Sequence, residues 1–346
     1  MHYKKVIISD FDIPQLWENK VYDPVLANKV SHTILPTCYL YEQARAQEIE
    51  MVTADVYLKN PDQYDHALLL THLKTPLTDA VIAAGAIPFL LTCQESPFIA
   101  TRFYMNLKKY SSLYKYSMVF SGMKKHLSRK TEYLPMFFPN SFDFVDFKRI
   151  NFDDKKLVTM ISGCKNINNW KKNLVIKLLY GMYVKVIYKE RFKIIEFFID
   201  KDFDLYGSGW DKQRRKYISQ IKKVYCGFVD DKKATLSKYK FSFCFENAIF
   251  PGYITEKIFD CFLSGCIPIY FGAPDIEQYV DGDCFVNMNN FESYDKLYDY
   301  MISIDKEKYQ KYMDNIYKYL HSAKYHQFTQ KYYTDLVLKL ANKEFN

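Results

Sequence analysis

Along most of this chain, short apolar runs alternate with segments of helical period, and the alternation occurs twice. In the first half "KVIISDF", "EMVTADVYL", "HALLL", "IPFLL" and "YKYSMVFSG" read as strands, with helix-like "YLYEQARAQ" and "LTDAVIAAG" between them. Strands that are apolar throughout and separated by helices require crossover connections, which give a mostly parallel sheet covered on both faces. The period is lost and prolines appear from Leu134 to Lys156. It then resumes with "LVTMISG", a long basic helical stretch, "FDLYGSGW", "KYKFSFCFEN", "CIPIYFGAP" and "CFVNM". The expected fold is α/β, with two doubly wound domains at 1–150 and 151–325. A helical tail, 326–346, would pack back on either one. Ligands of such sheets bind at the carboxyl ends of the strands, so a cleft between the two domains is the expected site.

Composition narrows the function classes. With 346 residues, 49% hydrophobic and 25% charged, the chain can bury sizeable cores. A net charge of +8 favours phosphorylated ligands and also allows peripheral attachment to an anionic membrane face. The basic residues form no aromatic-interleaved stripe, so nucleic acid is not an expected partner. Cys38, Cys93, Cys164, Cys226, Cys244, Cys261, Cys266 and Cys284 include no C-x-x-C pair, and several sit in apolar runs as buried reduced thiols do. The seven histidines lack zinc spacing, and the pairs Asp10/Asp12, Asp202/Asp204 and Asp281/Asp283 read as strand-end or turn acids, so no metal is expected. No run is long enough to span a membrane, and the N-terminal apolar stretch is too short for a signal peptide. A cytoplasmic protein is expected.

One junction concentrates polar side chains. "CFENAIFPGYITEKIFDCF", Cys244 to Phe262, places Glu246 and Asn247 at the end of a strand, then a short loop, then a helix. Thr255 is the expected helix cap, Glu256 and Lys257 fall in the first turn, and Gly265 is a plausible stop. A helix start offers unpaired N–H groups and partial positive charge, which suit a diphosphate. Lys257 adds a full charge, Asn247 and Tyr253 can bond ribose or phosphate, and Glu256 can bond sugar hydroxyls. The plainer reading is a strand, loop and capped helix of the kind every α/β protein contains, with Glu256 complementing the helix dipole. Neither G-x-G-x-x-G nor a P-loop motif occurs.

The longer stretch "FCFENAIFPGYITEKIFDCFLSGCIPIYFGAP" resembles the donor motif of the α-1,3/4-fucosyltransferases: F-E-N, a gap, Y-[VI]-T-E-K, then G-x-[IV]-P-[IV]-Y-x-G. The likeness is strong from about 203 to 275, patchy at 85–100 and faint elsewhere. It implies the GT-B fold, two Rossmann-like domains facing a central cleft. The donor GDP-fucose would be gripped by Asn247, Tyr253, Glu256 and Lys257. "YGSGW" resembles a further family segment, and Arg191 in "KERFKIIEFF" sits where such enzymes often carry a diphosphate-facing arginine. Lys171 and Lys172 compete for that role, and a solvated basic helix face is the bland alternative.

"IPFLL" leads to Glu95-Ser96-Pro97, which resembles the family's E-S-P segment around a proposed catalytic base, although a solvated loop glutamate is the default for so short a match. The resemblance implies inverting transfer of L-fucose from GDP-β-L-fucose to a glycan acceptor. The linkage would be α-1,3, in surface polysaccharide or lipopolysaccharide synthesis, with Glu95 and Glu256 catalytic and no divalent metal essential. Related activities are a transferase using another GDP-linked deoxysugar or heptose, and a non-catalytic sugar-nucleotide binder.

Overall fold

A computed structural model describes residues 4–141, 151–164, 170–181, 185–211 and 221–346. The chain divides into two compact units, Met1–Phe142 with His326–Asn346, and Asp143–Tyr325. The boundary expected near residue 150 lies outside the described residues. Residues 326–346 are not a separate appendage. Their helix, Gln330–Phe345, packs on α1 (Leu35–Arg45) of the first unit, and Glu344 accepts from Lys115 Nζ (2.7 Å) and Tyr116 Oη (3.0 Å).

The first unit holds β1 (Lys5–Phe11), β2 (Glu50–Thr53), β3 (His66–His72), β4 (Ile87–Thr92), β5 (Tyr116–Val119) and β6 (Glu132–Pro135). They form one parallel sheet in the order β2-β1-β3-β4-β5-β6. The interiors of β1 and β3 are buried on both faces, which is why they read as unbroken apolar runs. Strand β2 is shorter than "EMVTADVYL" suggests. Asn19 Oδ1 takes the Thr53 N–H (2.8 Å), and Ala54–Tyr57 turns helical, burying Tyr57 with its hydroxyl on the Ala84 carbonyl (3.0 Å). Strand β6 lies where the period fails, and its Pro135 is tolerated because the strand is at the sheet edge.

The second unit holds β7 (Lys156–Ile161), β8 (Lys185–Val186), β9 (Phe203–Tyr206), β10 (Tyr239–Phe245), β11 (Ala248–Ile249), β12 (Ile267–Phe271) and β13 (Val286–Asn287). The parallel sheet runs β13-β12-β10-β7-β9, and β8 pairs with β11 as a separate antiparallel ribbon. Central β10 alternates. Phe243 meets Phe198 of α2 (Tyr188–Phe198) at 5.0 Å, and Phe245 stacks edge-on with Phe243 and Phe271. The intervening Ser242 and Cys244 point to the opposite face, where α3 (Lys232–Leu236) and α4 (Glu256–Leu263) pack on one another. Periodicity suggests a single apolar face for α4, yet Ile258 through Leu263 are all buried. Tyr325 packs on Phe259, and Tyr319, from the helix Lys306–Leu320, packs on Phe262.

A candidate anion site at the carboxyl edge of the second sheet

Glu246, just past β10, organises the junction. It is fully buried and accepts the Thr255 N–H (2.8 Å), the Thr255 hydroxyl and Lys257 Nζ (3.0 Å). Thr255 does occupy the N-cap position of α4. Its hydroxyl bonds Glu246 rather than the helix amides, so the expected side-chain cap is not made. Gly272 explains the glycine that closes the motif, since a Cβ there would lie 2.6 Å from Glu246 Cγ and 2.5 Å from Tyr270 Oη. The F-E-N, T-E-K and Y-x-G segments therefore converge on one buried carboxylate, with Tyr270 Oη in turn accepting from Ala273 N–H (3.0 Å).

Arg191 sits on the other side of the strand end. It is 1% exposed, and Nη2 donates to the carbonyls of Phe245 (2.9 Å) and Glu246 (3.2 Å) and to Asn247 Oδ1 (3.3 Å). Asn247 thus spends its oxygen on Arg191, and its Nδ2 makes no hydrogen bond among the described residues. The "YGSGW" segment supports the same edge. Gly207 and Gly209 have φ of +120° and +82°, and a Cβ on either would fall within 3 Å of the carbonyls of Ser162 and Cys164. Buried Trp210 closes the contact, donating Nε1–H to the Ser162 carbonyl (2.6 Å). The exposed Lys171 lies on the helix Trp170–Tyr180, and the side chain of Lys172 is outside the described residues.

Arg191, Lys257 and Lys232 line one small cavity of ≈ 10 Å³, the room of about one water, with Ser162, Phe245 and Cys244. Lys257 faces Glu246 and, at 3.7 Å, Glu256. Burial disfavours its charge, but the two carboxylates more than offset this and hold its pKa above that of an ordinary lysine. Lys232 behaves alike: burial opposes its charge, while Asp260 at 2.6 Å and the field of Glu256 restore it. The three cations are the charged members of an otherwise largely apolar lining, and cations at a strand end and a helix start are suited to an anionic ligand.

Of the sequence-derived residues, Arg191, Asn247, Glu256 and Lys257 gather here. Tyr253 is 1% exposed with its ring stacked on Phe250 at 4.6 Å, so it does not present an open face to a ligand in this conformation. Glu246, Gly272 and Lys232 join the site from outside the residues the sequence points to. Glu246 was legible as the acid of F-E-N, whereas Lys232 carries no motif signal. Glu95 belongs to the first unit, three residues beyond β4. Its side chain is half-buried, and its carbonyl accepts from Tyr104 Oη (2.9 Å) and Cys93 Sγ (3.5 Å). Among the described residues there is no cluster of three metal-ligating side chains, and no helix is long and apolar enough to cross a membrane.

Residues 189–344 match the model of glycosyltransferase family 10 (fucosyltransferase), C-terminal region. An α-(1,3)-fucosyltransferase, FucT, of Helicobacter pylori is 40% identical over 90 residues, covering 26% of this chain and 19% of that protein. The human 4-galactosyl-N-acetylglucosaminide 3-α-L-fucosyltransferase 9 is 32% identical over 114 residues, covering 29% of this chain and 32% of the other. The chain thus spans a third or less of the length of these curated relatives. A crystal structure of an α1,3-fucosyltransferase with GDP superposes over 99% of this chain and 91% of that one, with a TM-score of 0.56 at 16% identity. Anabaena HepE with UDP and glucose superposes over 98% of this chain and 100% of the other, with a TM-score of 0.56 at 11% identity. The fold is therefore of the GT-B type, two parallel sheets in an α/β architecture. Residues 189–344, most of the second unit together with the C-terminal helix, are thus similar to the C-terminal region of glycosyltransferase family 10, the fucosyltransferases.

Proposed function

We propose that the chain is an inverting glycosyltransferase moving L-fucose from GDP-β-L-fucose to a hydroxyl of a glycan, in α-1,3 linkage. The observation that carries this reading is the meeting of Arg191 and Lys257 at one cavity beside the start of α4. The names of the relatives, α-(1,3)-fucosyltransferases, support the sugar and the linkage. In the reaction the acceptor oxygen attacks the anomeric carbon from the face opposite the diphosphate. The bond to the phosphate oxygen breaks with its electron pair, turning a β-linked donor into an α-linked product. Glu95 takes the proton of the attacking hydroxyl. Glu256 stabilises the positive charge that develops on the sugar ring, and Lys257, Arg191 and the helix start meet the charge on departing GDP. In this proposal these groups suffice without a divalent metal.

The test is calorimetric titration of GDP and UDP into the protein in EDTA, followed by mass spectrometry of 4-galactosyl-N-acetylglucosaminide incubated with GDP-fucose. GDP should bind without metal and more tightly than UDP, and the acceptor should gain one deoxyhexose. Binding that appears only with Mn²⁺ or Mg²⁺ overturns the metal-free part, and no GDP binding under either condition overturns the donor assignment.

A further inference from the structure

We infer that Lys232 is a third cation of the donor site, acting on the departing diphosphate more than on the intact nucleotide sugar. This rests on the donor reading above and assigns a role to a residue outside the donor motif. Lys232 opens α3, which packs on α4. Lys232 lines the same cavity as Arg191 and Lys257, whereas Asp260 is not among its lining residues. It is anchored by Asp260, one helical turn beyond Glu256, at 2.6 Å. In that pair the acid is buried at 5% exposure while the lysine is 25% exposed, so the cation is the member open to the cavity.

The three cations differ in how many donors they have left. Lys257 directs two N–H groups to Glu246 and Thr255, with Glu256 near the third. Arg191 is engaged with backbone carbonyls and Asn247. Lys232 gives one hydrogen bond, to Asp260, and makes no second one among the described residues, although an ammonium carries three donors. An esterified diphosphate has one ionised oxygen on each phosphorus, and Arg191 and Lys257 match those two charges. When the bond to the sugar breaks, its electron pair stays on the terminal phosphate, which acquires a third charge titrating near pH ~6 as in other phosphate monoesters. A third ammonium with spare donors is suited to that added charge. This charge already builds on the leaving oxygen as the bond breaks, and interactions stronger in the transition state than in the bound donor are the ones that accelerate the chemical step.

The experiment compares GDP and GDP-fucose binding by calorimetry, and steady-state transfer, in wild type, Lys232→Met, Lys232→Arg and Asp260→Asn. Lys232→Met should weaken GDP about tenfold and GDP-fucose by about threefold or less. It should lower kcat more than it raises the donor KM. Lys232→Arg should restore GDP affinity to within about threefold, and Asp260→Asn, which frees the lysine from its anchor, should fall between them. Lys232→Gln keeps a hydrogen bond to Asp260 and carries the same comparison if the methionine variant does not fold. Equal losses for GDP and GDP-fucose, or GDP affinity within twofold of wild type, would show a purely structural ion pair between α3 and α4. If wild type itself fails to bind GDP, the donor reading falls first and this inference with it.

Discussion

The carboxyl edges of the two sheets are built differently. Past β10, the candidate donor residues hang on a buried carboxylate: Glu246 accepts from Thr255 and Lys257, and glycine at 272 gives it room. Past β4, Glu95 is held through its main chain, its carbonyl bonded by Tyr104 and Cys93 while its half-buried carboxylate stays out of that network. A group that must grip a charged ligand gains from a rigid, mutually paired surround, because buried charges unpaired by protein are costly. A group that must take up and release a proton is better fixed by its backbone, which sets its position without committing its oxygens.

The contrast can be broken most forcefully at Glu95. Glu95→Gln is nearly isosteric but cannot accept a proton, so turnover should fall by about 10²–10⁴ while GDP affinity is unchanged. Wild-type turnover measured on the same folded preparation would end its candidacy. Removing the hub of the other edge should act on stability instead. Glu246→Ala leaves Lys257 and Thr255 facing a void, and breaking a buried pair costs about 3–5 kcal/mol. Chemical denaturation should show that loss, and an unchanged midpoint would mean that the carboxylate does not organise the edge.

Lys257→Ala should weaken GDP by about ten- to a hundredfold, as expected for one charge-assisted hydrogen bond, and slow transfer in parallel. Intact GDP affinity in calorimetry would move the diphosphate elsewhere. Because its folded pKa is raised, Lys257 contributes stability that is fully present below the unfolded lysine value and is lost only as pH rises through the folded one. GDP affinity should accordingly show no lysine deprotonation between pH 7 and about 10. The smallest effect is expected from Tyr104→Phe, which removes one hydrogen bond to the Glu95 carbonyl. That bond is worth about 0.5–1.5 kcal/mol, so kcat should drop a few-fold with GDP affinity untouched. Equal losses in both would mean that the two edges are not independent.

Much of the candidate donor edge is legible in the sequence because its polar residues lie close together in the chain. Glu246, Asn247, Glu256 and Lys257 span one strand-to-helix junction, so alternation along β10 and the helix signals after Thr255 suffice to place them without any tertiary contact. The double run of buried strands likewise announced two parallel sheets, since strands covered on both faces leave an unbroken apolar signature. What the chain could not announce were contacts between residues far apart in it. Arg191 reaches the end of β10 from 55 residues upstream, and spacing alone does not separate it from Lys171 and Lys172. Tyr253 looked like a ligand-facing hydroxyl and is buried against Phe250.

By itself, then, the sequence determined the fold class, the position of the candidate donor junction and the family likeness, since each depends on local period or on a short run of residues. Only the tertiary structure decided that Thr255 serves Glu246 instead of capping its helix, that Gly272 makes room for that carboxylate, and that Lys232 shares a cavity with Lys257 and Arg191. Each of these depends on where separate elements come to rest against each other. Hydrogen bonds and ion pairs act over a few ångströms, and no periodicity along a chain encodes which distant side chain will fill that distance.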